Sequence, residues 1–263
     1  MRSLSVLLVG LLAGSVDAHD LWLVPPVKAM PQSKIVIEVS VGMDFPISTF
    51  ASDTERYPRK FVVGPDGKTL PLASAGKREL TSLLAFESGA AGLYVVAVET
   101  TPKIIELDAD KFNEYLVTDG LPHIFRLRAK EKTLNRDAVE RYRKSPKALV
   151  AVGDGAMTGW DRVLGSPLEI VPLVNPFTRK VGDTLKVRVL FQQKPLADAN
   201  LGWQRPGDGD TPVGYVRTDK NGEALIPIAQ TGLMTIRLTH MTRPKAAEYE
   251  WESFWTTLTW RIP

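Results

Sequence analysis

Ser33-Lys34-Ile35-Val36-Ile37-Glu38-Val39-Ser40-Val41-Gly42-Met43 alternates strictly between apolar and mixed positions. Ile35, Ile37, Val39, Val41 and Met43 fall on one face of an extended chain, and a period of two marks a half-buried β-strand. Working outward, residues 61–72 carry Gly64-Pro65-Asp66-Gly67, a turn between two short strands. Residues 80–86 and 93–100 are apolar and bracketed by Gly89 and Gly92. Closely spaced turns between short strands predict an antiparallel sandwich.

The pattern changes after Leu107. Asp108 can cap a helix from Ala109 in which Phe112, Tyr115 and Leu116 share a face, and Gly120 stops it. A second helical stretch is expected over 126–132. A third, capped by Asn135, is expected over 136–143, before Pro146, with a return strand over 147–152. Residues 19–165 therefore read as one β-sandwich with a helical insertion over 108–146. Residues 154–167 are rich in Gly and polar side chains and mark a domain boundary. Beyond it, about seven strands are expected over 168–174, 184–191, 201–205, 213–218, 224–228, 234–241 and 250–262. The Thr218-Asp219-Lys220-Asn221-Gly222 turn adds a strong hairpin signal. Seven strands in about 100 residues is the arithmetic of an immunoglobulin-like sandwich. The fold class is mainly β: two β-sandwich domains, 19–165 and 166–263, the second immunoglobulin-like.

The opening residues, MRSLSVLLVG LLAGSVDAHD, read as an export signal. Arg2 supplies a positive start, Leu4 to Leu12 an apolar run too short for a membrane span, and Val16 and Ala18 the small residues of a cleavage site. Cleavage after Ala18 removes residues 1–18, makes His19 the first mature residue and sends the protein to the periplasm. No later apolar run is long enough to span a membrane. Arg2 and Asp17 leave together, so the net charge of +3 is unchanged. The charges are interspersed. The basic stretch 126–147 also holds Glu131, Asp137 and Glu140, and reads as a solvated helical face, not a nucleic-acid surface.

The chain has no cysteine and three histidines, His19, His123 and His240. Disulfides and thiolate metal sites are excluded, so a transition metal would need His, carboxylate, Met or backbone donors. An N-terminal His19 offers an α-amine and a ring Nδ1 to one divalent ion such as nickel, cobalt or copper. A histidine brace adds a third nitrogen, from His240 or His123. His240 ends a strand whose face it shares with Met234, Ile236 and Leu238, which also fits a half-buried core histidine. His123 follows Pro122 at a helix start and fits a surface or capping role. Asp20 can orient the amine or a ligand, or be a plain exposed acid. Met43 is a soft donor but more commonly a core residue. Trp251 and Trp255 share a strand face, and either wall a pocket near His240 or pack between domains.

There is no His-Glu-x-x-His, no Gly-x-Ser-x-Gly, no phosphate-binding glycine loop and no cysteine nucleophile. Asp208-Gly209-Asp210 and Asp219-Lys220-Asn221-Gly222 hint at calcium but lack the ligand count of an EF-hand. Mature position three is Leu21, not the histidine of an amino-terminal copper/nickel motif.

Several segments together resemble a known family. They are His19-Asp20-Leu21-Trp22-Leu23 after a signal, Glu140-Arg141-Tyr142-Arg143-Lys144 with Lys147-Ala148-Leu149-Val150, and Leu168-Glu169-Ile170-Val171-Pro172 with Asn175-Pro176. Gly182-Asp183-Thr184-Leu185, Thr218-Asp219 with Gly222, and Trp255-Thr256-Thr257-Leu258-Thr259 complete the set. This is a bacterial periplasmic family of unknown function, some of whose members are described as periplasmic components of nickel/cobalt (NikM-like) uptake systems. The resemblance implies a β-sandwich with a helical insertion and a role with nickel, cobalt or copper ions.

The expected function is a periplasmic, non-enzymatic metal-binding protein, with His19, His240 and Asp20 as metal residues and a membrane transporter component as partner. The competing readings are a non-catalytic module binding a protein or carbohydrate, and an oxidative copper enzyme built on the brace.

Overall fold

The computed structural model describes residues 19–246 and 248–263. The signal segment 1–18 lies outside the described residues. In the first half the strands are β1 (Asp20–Val24), β2 (Lys34–Gly42), β3 (Arg59–Val63), β4 (Thr69–Pro71), β5 (Ala73–Arg78), β6 (Thr81–Glu87), β7 (Gly92–Glu99) and β8 (Lys103–Leu107). Helices α1 (Ala109–Thr118) and α2 (Pro122–Lys130) follow, then β9 (Ala138–Lys144) and β10 (Lys147–Val152). The second half holds β11 (Leu168–Pro172), β12 (Thr184–Phe191), β13 (Lys194–Pro195), β14 (Asn200–Gln204), β15 (Gly214–Arg217), β16 (Glu223–Pro227), β17 (Gly232–Thr242) and β18 (Trp251–Ile262).

The chain is mainly β, as read from the alternation of apolar residues. A ten-stranded sheet is the middle layer, in the order β15-β14-β17-β18-β10-β7-β3-β4, with β9 joined to β18 and β8 to β9. One face is covered by β1-β2-β6-β5, where Ile35, Ile37, Val39 and Val41 pack against Val62, Val96, Val98 and Val150. The other is covered by β11, β12, β13 and β16, where Ile170, Leu185, Val187 and Ile226 meet Ile236, Leu238, Leu258 and Trp260. β7 and β10 feed both cores: Tyr94, Val96 and Val150 turn one way, Val95 and Leu149 the other. Their near-continuous apolar sequence is that of strands buried on both faces.

The irregular segment after β10 coincides with the boundary read at 154–167, yet the hydrogen bonding does not stop there. β18 pairs antiparallel with β17 over eleven residue pairs. Along its other edge it runs parallel to β9 and then to β10. Strands from both halves thus share one sheet. A buried ion pair reinforces the junction: Lys147 Nζ lies 2.9 Å from Glu169 Oε1, with both side chains under 5 % exposed. Glu169 also accepts from the backbone N–H of Leu164 and Gly165 at 2.9 and 3.1 Å.

Two of the three expected helices form. Asp108 caps α1 by accepting from Lys111 N–H, and Phe112, Tyr115 and Leu116 are its buried residues. α2 starts earlier than the spacing predicts, at Pro122, since proline suits the first turn where its missing N–H is no loss. The third expected helix, 136–143, is instead β9. Its charges had read as a solvated helical face, but Ala138 and Glu140 alternate inward and each residue from Glu140 to Lys144 pairs with β18. A strand recruited by a partner more than 100 residues away leaves no local periodicity to find.

A buried ionic cluster as candidate functional site

His19 stands immediately before β1. Its ring is half-buried and meets Phe50 edge-on at 5.7 Å. Its carbonyl accepts a hydrogen bond from Lys144 Nζ. β1 then runs alongside β18: Thr257 Oγ1 donates to Leu21 O at 2.8 Å, and Arg261 Nε donates to Pro25 O at 3.0 Å. That placement turns Asp20 inward, where it is 2 % exposed, so the reading of an exposed acid is corrected.

Asp20 ends in an ion pair. Its Oδ2 is 2.8 Å from Nε of Arg237 on β17, and Arg237 Nη2 donates to Asp119 Oδ1 at the end of α1. All three residues are within 3 % of full burial. Burial pushes the Asp20 carboxyl up, against the opposing pull of Arg237 and Lys144. One cation between two carboxylates pins strand, sheet and helix together. Removing either sign would strand the other in a medium that solvates charge poorly.

A second set lies on the same face. Glu140 accepts from Ser253 Oγ and from Tyr115 OH, the latter at 3.3 Å, and Trp255 Nε1 donates to Ser253 Oγ at 2.9 Å. Burial raises Glu140 to about 7 despite these hydrogen bonds. The Lys144 ammonium sits 4.7 Å over the Trp255 ring, and burial brings it down to about 8 against the nearby carboxylates Asp20 and Glu140. Asp119 Oδ2, Glu140 Oε2 and Arg237 Nη1 make no hydrogen bond to another described residue. The gap between Asp20, Lys144, Trp255 and Thr257 leaves no room for a water-sized ligand. The cluster is therefore a closed anchor that fixes the chain around His19, and not an open reaction chamber.

The sequence-derived candidates separate. The β17–β18 register is unbroken, so side chains alternate strictly between faces. Arg237, with Asp20, lies on the helix-covered face. His240 lies on the other, opposite Phe254 and 4.5 Å from the Phe191 ring, with Leu238 and Ile236. Burial pushes it down to about 4, a neutral half-buried histidine at neutral pH. The structure brings His19 and Asp20 together as chain neighbours and places His240 across the sheet from Asp20. His123 is the second residue of α2, pushed down by burial and by Arg126 and Arg217. Met43 follows β2, and its carbonyl accepts from Gln204 Nε2 at 3.2 Å. Trp251 and Trp255 do share a face, but they pack under the helices and not beside His240. Trp255 stacks on Tyr115 at 5.5 Å and Trp251 tilts against Phe112 at 6.1 Å. Asp208 is held by Arg205 and Asp219 caps its own turn, so both hinted calcium loops are ordinary turns. Among the described residues no group of three His, Asp or Glu side chains converges as a metal cage would require.

Sequence reasoning missed Arg237, Asp119, Lys144 and Glu140. One signal was present: Arg237 interrupts the apolar strand Leu233–Leu238, and a buried arginine demands carboxylate partners.

The family described as a domain of unknown function (DUF4198) matches residues 16–242, and the chain belongs to that family. No curated protein matches it. Among solved structures it is similar to the D0-D1 domain of Intimin, at 10% identity over 92% of this chain and 98% of that one, with a TM-score of 0.21. The D00-D0 domain of Intimin matches at 9% identity over 90% and 99% of the two chains, with a TM-score of 0.20. The native conformation of E. coli alpha-2-macroglobulin matches at 10% identity over 93% of this chain and 17% of that one, with a TM-score of 0.19. No helix among the described residues is long and apolar enough to cross a membrane.

Proposed function

We propose that this member of the DUF4198 family is a non-catalytic periplasmic protein whose processed amino terminus, His19, takes a divalent nickel, cobalt or copper ion for delivery to a membrane transporter. One observation carries the reading. The backbone at His19 is fixed on its C-terminal side, by Lys144 on its carbonyl and by the buried Asp20–Arg237 pair one residue on. A terminal residue held in this way presents its donors at low entropic cost, since ordering has already been met by the fold. After cleavage behind Ala18 the donors are the α-amine and ring Nδ1 of His19, a pair that suits these borderline ions. His240 is not part of this set. Asp20 serves as the anchor beneath it and not as a ligand. The remaining coordination positions fall to water or to the receiving protein, which suits an ion that must be handed on.

Isothermal titration of copper(II) and nickel(II) into protein processed to His19 tests the proposal. His19→Ala, and a form retaining Ala18 so that the amine is locked in a peptide bond, should each weaken binding by on the order of ten- to a hundredfold. Unchanged affinity in both variants would place the site elsewhere or nowhere.

A further inference from the structure

A strained hairpin lies beside an arginine pair on the face of the sheet away from Asp20. β12 and β13 are joined by the two residues Gln192 and Gln193, with Phe191 paired to Lys194. Both glutamines take positive φ, 48° and 64°. This is the two-residue turn that Asn-Gly fills without strain. Two glutamines there cost stability, and such strain persists where a function holds it in place. Gln192 N–H is tied to Pro167 O at 2.8 Å, which fixes the turn against the linker.

The turn overhangs a groove of about 440 Å³ floored by Arg141 and Arg143 on β9 and Glu252 on β18, a volume typical of small-molecule sites. Glu252 Oε1 takes Arg141 Nη1 at 3.1 Å and Arg143 Nη2 at 3.0 Å. Arg141 also lies over the Tyr249 ring at 5.6 Å, and Arg143 over Phe254 at 5.2 Å. The two guanidiniums are thus held in place before any ligand arrives. Arg141 Nη2 and Arg143 Nη1 make no hydrogen bond to another described residue, and the two side chains are 32 % and 28 % exposed. Two cations against one carboxylate leave one net positive charge, and the free donors form a fork suited to a planar oxyanion. The exposed glutamine amides add groups that pair with hydroxyls.

We infer that this groove binds a carboxylate-bearing sugar, with the carboxylate bridging Arg141 and Arg143 and the ring hydroxyls under Gln192 and Gln193. The proposal is separate from His19 and needs no metal.

The test titrates the full chain, metal-free, with galacturonate, galactose and inorganic phosphate at fixed ionic strength. Galacturonate should bind saturably, and galactose, lacking the charge, should bind at least about tenfold more weakly, the worth of a charge-assisted hydrogen bond. Arg141→Gln and Arg143→Gln should each weaken galacturonate by about tenfold or more. The double variant Gln192→Asn, Gln193→Gly removes the turn strain. It should raise the melting temperature while weakening galacturonate several-fold, a result that mere structural damage cannot produce. The inference is overturned if galacturonate does not saturate, if galactose or phosphate binds as tightly, or if the arginine and turn variants all bind like the parent.

Discussion

Glu140→Gln is expected to stabilise the protein above neutral pH and to leave it nearly unchanged at pH 5. The buried carboxyl is raised from its ordinary 4.5 to about 7, with burial as the main cause. Between those two values the folded protein holds a proton that the unfolded chain has released. Stability is therefore fully present below about 4.5 and falls as pH rises through the window to about 7. At about 1.4 kcal/mol per pH step the whole loss is on the order of 3 kcal/mol, most of which falls between pH 5 and 8. Glutamine mimics the protonated acid. Its carbonyl still accepts from Ser253 and Tyr115, so the network survives without the charge. Urea unfolding of parent and variant at pH 5 and pH 8 reads the difference directly. A gap of the same size at both pH values, or a variant less stable at pH 8, would refute the burial argument.

Three further outcomes follow from the same physics. Arg237→Leu should cost about 3–5 kcal/mol in chemical denaturation, because Asp20 and Asp119 are left buried without their cation, and adding Asp20→Asn with Asp119→Asn should recover most of it. Lys147→Met should likewise cost about 3–5 kcal/mol by stranding Glu169, with a smaller loss when Glu169→Gln is added, measured as a double-mutant cycle. His240, depressed to about 4, stays neutral in the fold while the unfolded residue charges near 6.5, so its contribution is lost as pH falls from 6.5 to 4. His240→Phe should remove that part of the acid destabilisation, read as a shallower fall of melting temperature with pH.

The elements whose evidence is local could be read from sequence. The alternation from Ile35 to Val41 became the core face of β2, and Asp108 capped α1 as its side chain predicts. Glu140 and Asp20 were misread because a carboxylate is expected at the surface, and only partners from distant strands make burial tolerable. Arg237 meets Asp119 and Asp20 from more than 100 and more than 200 residues away in the chain. β9 is held between β8, about 35 residues upstream, and β18, more than 100 residues downstream, and no window of sequence contains both partners. The strained Gln192-Gln193 turn was hidden for another reason. Its residues argue against the geometry they adopt.

The position of β18 sets the order in which this protein can be completed. It is the seam on which β17, β9 and β10 are sewn, and β1 lies along it. A ribosome delivers β1 among the first structured residues and β18 among the last. Until then β9 and β10 have no parallel partner, and the sheet that buries the Asp20–Arg237 pair lacks its central strand. Closure of the seam must wait for β18, with the slow, long-range pairing that such topology entails. Deletion of β18 would remove a partner from strands of both halves at once.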